Sequence, residues 1–311
     1  MIFKIAVIAV AVLLLSAVPG YIMMKKKMVG ERCIGDFSKV LMYVCQPCLS
    51  VYTFTSIEYT PEKLRNIGIY ALLCVAICGV MLGVTYLILR RKCEKPIYRI
   101  MTIATTFSNC AFFGIPIIEA LLPESAPSLI VYTTVFALVM NVSGWTIGSA
   151  IIARDAKYIS LKKIFLNPAM LGGIVAFLLF VFSVPIQEDL AGMIELTARM
   201  SSPLSMIIMG MRLATMNFGE LWRDVKVYIT VAVNQILMPA LAFAMVYFLP
   251  VALEVKQSFF IISACPIASV VLNFAEVIGE GQREGAKMFL LGTILSIVTL
   301  PLMMLLLPYL L

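Results

Sequence analysis

Thr106-Phe107-Ser108-Asn109-Cys110-Ala111-Phe112-Phe113-Gly114-Ile115-Pro116 and, later in the chain, Cys265-Pro266-Ile267-Ala268-Ser269-Val270-Val271-Leu272-Asn273 are the stretches on which the fold turns. Each lies in a run apolar enough to enter a bilayer, and each carries an asparagine and a proline seven residues apart, in opposite order. A shift of 157 residues superposes Asn109 on Pro266, Pro116 on Asn273 and Glu119 on Glu276. Proline inside a helix removes one amide donor and clashes with the carbonyl one turn earlier. In lipid the freed backbone groups need a partner from the protein. A reciprocal pair of interrupted helices in corresponding positions is the sequence mark of a carrier built from inverted repeats.

Outward from these runs, the composition says that the solvent is lipid. Of 311 residues 62% are hydrophobic and 13% charged, and the mean hydropathy is +1.01, far from the balance of a soluble domain. At roughly 20 apolar residues per crossing, the length accommodates about ten spans. Apolar runs occur at 2–23, 35–57, 67–89, 98–122, 128–152, 164–184, 190–214, 226–249, 257–279 and 286–309. The expected fold is therefore an all-α polytopic membrane protein. Its ten transmembrane helices form a 5+5 inverted repeat, residues 1–155 and 156–311, with broken helices four and nine crossing. A weaker echo places Pro47-Cys48-Leu49-Ser50 opposite Pro203-Leu204-Ser205, with one residue missing.

Basic residues fall at alternate connections. Lys25, Lys26, Lys27 and Arg32 follow span one, Arg90, Arg91, Lys92, Lys95 and Arg99 follow span three, and Arg154, Lys157, Lys162 and Lys163 follow span five. Arg212, Arg223 and Lys226 surround the seventh connection, and Arg283 and Lys287 the ninth. The positive-inside rule then puts both termini outside the cell membrane, the inner membrane of a bacterium. The first run is followed by three lysines and lacks a small-x-small cleavage site, so it reads as a span rather than a signal peptide.

Several functions are disfavoured. The net charge of +7 sits in short clusters between spans, which suits membrane orientation and not nucleic acid. The histidine count is zero, which removes most zinc sites, imidazole bases and Ser-His-Asp triads. Cys45, Cys48, Cys74, Cys78, Cys110 and Cys265 fall inside apolar runs, where thiols behave as small hydrophobes. No cofactor is expected.

The candidate site is the pair of interruptions. Half-helix N-termini at Pro116 and Pro266 attract an anion, and the amides of Asn109 and Asn273 complete its hydrogen bonds, with Ser108 beside them. The competing reading is that the prolines only kink packed helices and the asparagines bond the freed carbonyls. Asn141, Asn234 and Gln235 are further polar groups, for which interhelical hydrogen bonding is the commoner use. Glu119 and Glu276 serve either proton coupling or anchoring at the interface. Arg212 either recruits an anion to a vestibule or anchors its helix at lipid phosphates.

The 106–116 stretch resembles the fourth-helix motif of the auxin efflux carrier family, whose bacterial members are malate- or malonate-type permeases. Asn167-Pro168, Ser202-Pro203-Leu204-Ser205 with Gly210, Cys265-Pro266-Ile267-Ala268, and Leu295-Ser296-Ile297-Val298-Thr299-Leu300-Pro301 are similar to that family in the same order. The resemblance implies a scaffold domain and a transport domain, each drawn from both repeats, and elevator-type alternating access. It implies a small carboxylate as cargo, held where helices four and nine cross, at Asn109, Pro116, Pro266 and Asn273. Family members also form dimers, so a homodimer is a further expectation. Arg212 departs from the small or polar residue expected at its place. The sequence leaves proton coupling, sodium coupling and uniport open. A sodium-coupled symporter of the bile-acid class is the nearest alternative, with a membrane-embedded sensor or enzyme behind it.

Overall fold

In the computed structural model the described residues are 1–155, 157, 165–216 and 218–310, without the side chains at 218, 220, 273, 277 and 278. Lys162 and Lys163 of the expected basic connection lie outside the described residues. Among the described residues the regular elements are helices: α1 (Ile2–Lys25), α2 (32–55), α3 (Pro61–Lys92), α4 (Pro96–Ala104), α5 (Gly114–Leu121), α6 (Ala126–Ala153), α7 (Pro168–Val181), α8 (Glu188–Arg199), α9 (Ser201–Thr215), α10 (Val225–Tyr247), α11 (Leu253–Ser263), α12 (Val270–Ile278) and α13 (Gln282–Leu310), with one further helical turn at Phe218–Leu221. Of these, α1, α3, α6, α10 and α13 are long and apolar enough to cross a membrane. The run expected as span seven is two helices, α8 and α9, meeting at Met200.

Local chemistry starts the helices where they start. Thr60 caps α3 by accepting a hydrogen bond from the Lys63 amide at 3.1 Å, with Pro61 and Glu62 in the first turn, where a missing donor and a negative charge are both favourable. Asn167 caps α7 in the same way, accepting from Ala169 N at 3.0 Å ahead of Pro168. Large apolar side chains then line the outside of the protein. Leu72 and Ile88 of α3 are 72% and 70% exposed, an arrangement that lipid favours and water does not.

Close helix crossings fix the packing. A Cβ on Gly20 of α1 would stand 2.0 Å from Ile207 O of α9, and one on Gly210 of α9 would stand 1.9 Å from Ala17 O of α1. The two backbones touch because neither glycine has a side chain. At a second crossing, Gly172 of α7 lies against Pro47 of α2, where a Cβ would be 2.6 Å from Pro47 Cα. Three helices also widen to π turns, at Leu41–Cys45, Gly144–Gly148 and Val233–Leu237. Two of these precede Pro47 and Pro239. Each proline would otherwise clash with the carbonyl one turn back, and the wider turn makes room for it.

The interior is built around α11 and the segment after it. Phe259, Phe260, Ile261 and Ile262 are all fully buried, so the C-terminal half of α11 is apolar on every side, as the middle of a central helix must be. Tyr70 of α3 stands edge-on to Phe259 with ring centres 5.8 Å apart, and Phe243 of α10 edge-on to Phe260 at 5.7 Å. Arg99, expected in a basic connection, is also buried. It donates to the Ile152 carbonyl and to Glu280, tying α4 to the end of α6 and to the turn after α12.

Candidate functional site

Helical structure stops at Ala104 and resumes at Gly114; it stops again at Ser263 and resumes at Val270. The two unwound segments lie antiparallel, with Ser108 opposite Ile267. Asn109 N donates to Pro266 O at 2.7 Å, and Ala268 N donates to Phe107 O at 2.8 Å. Backbone groups released by one break are thus satisfied by the other, as buried backbone groups must be. Pro266 suits this pairing because the bridge uses its carbonyl and has no use for an amide. Small hydroxyl residues on the approach, such as Thr105 bonding back to Thr102 O at 3.0 Å, offer the chain an alternative to the helix.

Pro116 has a different position from the one its spacing suggests. It is the third residue of α5, in the first turn, where backbone amides have no intrahelical acceptor. It therefore helps to start the second half-helix, and the break lies before it. Pro116 does not line the cavity described next. Asn273 lies on α12, and its side chain is outside the described residues.

Beside the crossing is a cavity of about 80 Å³, several times the roughly 10–15 Å³ that one water needs. Its polar wall comes from Gln46, Ser108, Asn109, Asn141, Asn167 and Ser205, and the N-terminal ends of α5 and α12 adjoin it through Phe112 and Val270. Phe274 and Trp145 form an aromatic wall, edge to face at 4.8 Å. Asn141 is fully engaged, donating to Ala137 O at 2.9 Å and accepting from Asn167 Nδ2 at 3.3 Å. Asn109 is not. Its Nδ2 is buried and makes no hydrogen bond within the protein, an arrangement costly unless a ligand supplies the acceptor. Asn234 and Gln235 point elsewhere, to Thr105 O at 3.4 Å and Gly292 O at 2.8 Å, so they tie helices together.

Arg212 is the one charged residue lining the cavity among the described residues. It stands at the mouth, where the cavity meets a vestibule of about 530 Å³ also lined by Glu31, Lys39 and Glu276. Its guanidinium is largely buried and donates to Glu276 Oε1 at 3.0 Å. Glu119 sits at the far end of α5 with its carboxylate 3.7 Å from Arg199 Nη1. A partly open cavity with helix N-termini, side-chain amides and one cation, and without an acid on its wall, favours a small anion over a cation.

The profile of a family described as membrane transport protein matches residues 5–304. The chain belongs to the auxin efflux carrier family. It is a multi-pass membrane transporter, and its family is not one of enzymes. A comparison with curated proteins found no match. In this carrier, sequence reasoning singled out Asn109, Ser108 and Arg212 of the cavity residues and missed the part of Gln46 and Trp145. Gln46 had a signal, as a lone amide in an apolar run directly before Pro47. Trp145 had none, because a tryptophan in a span is more often an interfacial anchor.

Proposed function

We propose that the carrier moves a small carboxylate across the cell membrane by elevator-type alternating access. The anion accepts from Asn109 Nδ2 and rests against the N-termini of α5 and α12, with Ser108 and Asn273 beside it and Pro266 and Pro116 shaping the crossing. The observation that carries this reading is that Asn109 lines a cavity with no acid among its described lining residues while its Nδ2 is buried and unpaired. Fixed dipoles suit the task, since a buried lone cation would be expensive whenever the site is empty.

On this reading the chain crosses the membrane ten times as two inverted five-helix halves, 1–155 and 156–311, with both termini outside. Reciprocal packing supports the repeat: α1 of the first half lies against α9 of the second, and α7, the counterpart of α1, lies against α2, the counterpart of α9. The two breaks reciprocate in the same way. The crossover unit, α4–α5 and α11–α12, carries the anion past the remaining helices. The vestibule opens on the side of the basic connections, so this conformation faces the cytoplasm.

Counterflow of labelled malate, malonate and an aromatic carboxylate into proteoliposomes tests the proposal, with and without sodium and a pH gradient. Wild type is expected to exchange at least one of them and Asn109→Ala to exchange it at least roughly tenfold more slowly. A folded wild type that exchanges no carboxylate overturns it.

A further inference from the structure

Glu119 and Glu276 occupy matching places on the two half-helices that follow the breaks, and both reach out of the crossover unit to the same neighbouring segment. Glu119 Oε1 lies 3.7 Å from Arg199 Nη1 at the end of α8, and Glu276 Oε1 lies 3.0 Å from Arg212 Nη1 of α9. Arg199 closes α8, and Arg212 lies 11 residues into α9 from Ser201, about 17 Å along that helix at 1.5 Å per residue. The two contacts therefore grip the crossover unit at opposite ends.

The ends are not equivalent. Arg199 is exposed and has other partners, Glu195 Oε1 at 2.8 Å and the Tyr52 hydroxyl at 3.2 Å, with the Tyr52 ring beneath it. It loses little when Glu119 leaves. Arg212 is largely buried, and among the described residues Glu276 is the carboxylate within reach of it. When Glu276 leaves, a cation is stranded at the cavity mouth, which is costly. An anion in the cavity lowers that cost, because it faces the same guanidinium.

We propose that the pairs Glu119–Arg199 and Glu276–Arg212 form a two-point clamp that holds the crossover unit in the vestibule-open state, and that both pairs open whenever the unit moves. The inference rests on the moving crossover unit of the preceding reading. It adds that α8–α9 is the fixed strut against which the unit is released, and that a loaded site releases more readily than an empty one. Arg199, Arg212 and their glutamates are positioning residues in this scheme.

The test uses the full chain in proteoliposomes with the eight native cysteines replaced. Cysteine pairs at 212 and 276, or at 199 and 119, are bridged by a bifunctional thiol reagent. Each bridge is expected to stop counterflow and its reduction to restore it. Counterflow that continues at the unbridged rate through either bridge overturns the clamp while leaving carboxylate transport standing. A second measurement does not depend on transport: in the cysteine-replaced chain carrying Ser38→Cys, at a position that lines both the cavity and the vestibule, Glu276→Gln and Glu119→Gln each lower the vestibule-open fraction. Modification of that single thiol, followed by mass spectrometry, is expected to slow in each variant in proportion to the open fraction lost. Unchanged modification in both variants overturns the clamp, whatever counterflow shows. A wild type that exchanges nothing sinks the transport reading instead.

Discussion

At position 109 the backbone and the side chain have separate jobs. The amide N–H holds the crossing together through Pro266 O, and any residue but proline supplies it. The side-chain amide has no protein partner, so Asn109→Ala forfeits no hydrogen bond of the fold. Its thermal stability in detergent is expected to stay within about 1 kcal/mol of wild type, while exchange falls roughly ten- to hundredfold, the worth of one charge-assisted hydrogen bond of about 1.5–3 kcal/mol. Gln235→Ala is expected to do the reverse. That side chain is fully buried, donates to Gly292 O and accepts from the Thr299 hydroxyl. Its loss strands both partners and costs about 1–3 kcal/mol of stability, with carboxylate affinity little changed. Thermal melts and counterflow run on both variants check the contrast. The sequence alone made both residues look alike, as amides in apolar runs. What separates them is which neighbour each one faces, and that is set by helix rotation within a span, which hydropathy does not record.

Among the elements, the tightest constraint is the α1–α9 crossing. Gly210→Ala puts a methyl group 1.9 Å from Ala17 O, far inside van der Waals contact. The helices must part, at a cost of about 1–3 kcal/mol for overpacking, and Arg212, two residues on, moves with α9. Lower thermal stability together with weaker carboxylate binding is the expected result. Gly35→Ala in α2 is the control: nothing lies within 4 Å of its Cβ, so it is expected to be neutral or to gain up to about 1 kcal/mol from helix propensity. The long helices were legible in the sequence because twenty apolar residues in a row leave few alternatives. The existence of the two breaks was legible too, through their prolines and asparagines. Their limits were not. Pro116 opens α5 because a first-turn proline forfeits no intrahelical bond, whereas the chain had already left the helix at Thr105. Arg99 misled for a related reason. Its charge belongs with the basic connections, but one buried carbonyl and the exposed Glu280 carboxylate accommodate it.

At the scale of the whole molecule, the decisive quantity is the charge that moves. Of the residues lining the cavity only Arg212 is charged among those described, and Glu276 neutralises it in the empty state. The pair opens as the crossover unit moves and closes when it returns, so over a full cycle the protein's own charges cancel and the charge moved is that of the cargo. Transport is expected to be electrogenic. Moving one elementary charge through 100 mV is worth about 2.3 kcal/mol, which corresponds to a concentration ratio of roughly fiftyfold for a monovalent carboxylate. A potassium diffusion potential of that size, negative inside right-side-out proteoliposomes, should drive the labelled anion outward until the ratio approaches this value, and reversing the potential should reverse the direction. A gradient that ignores the potential would mean that a proton or sodium ion crosses with each anion. Glu119 is then the first group to replace with glutamine, since a carboxylate on the moving unit outside the cavity would be carrying the compensating charge.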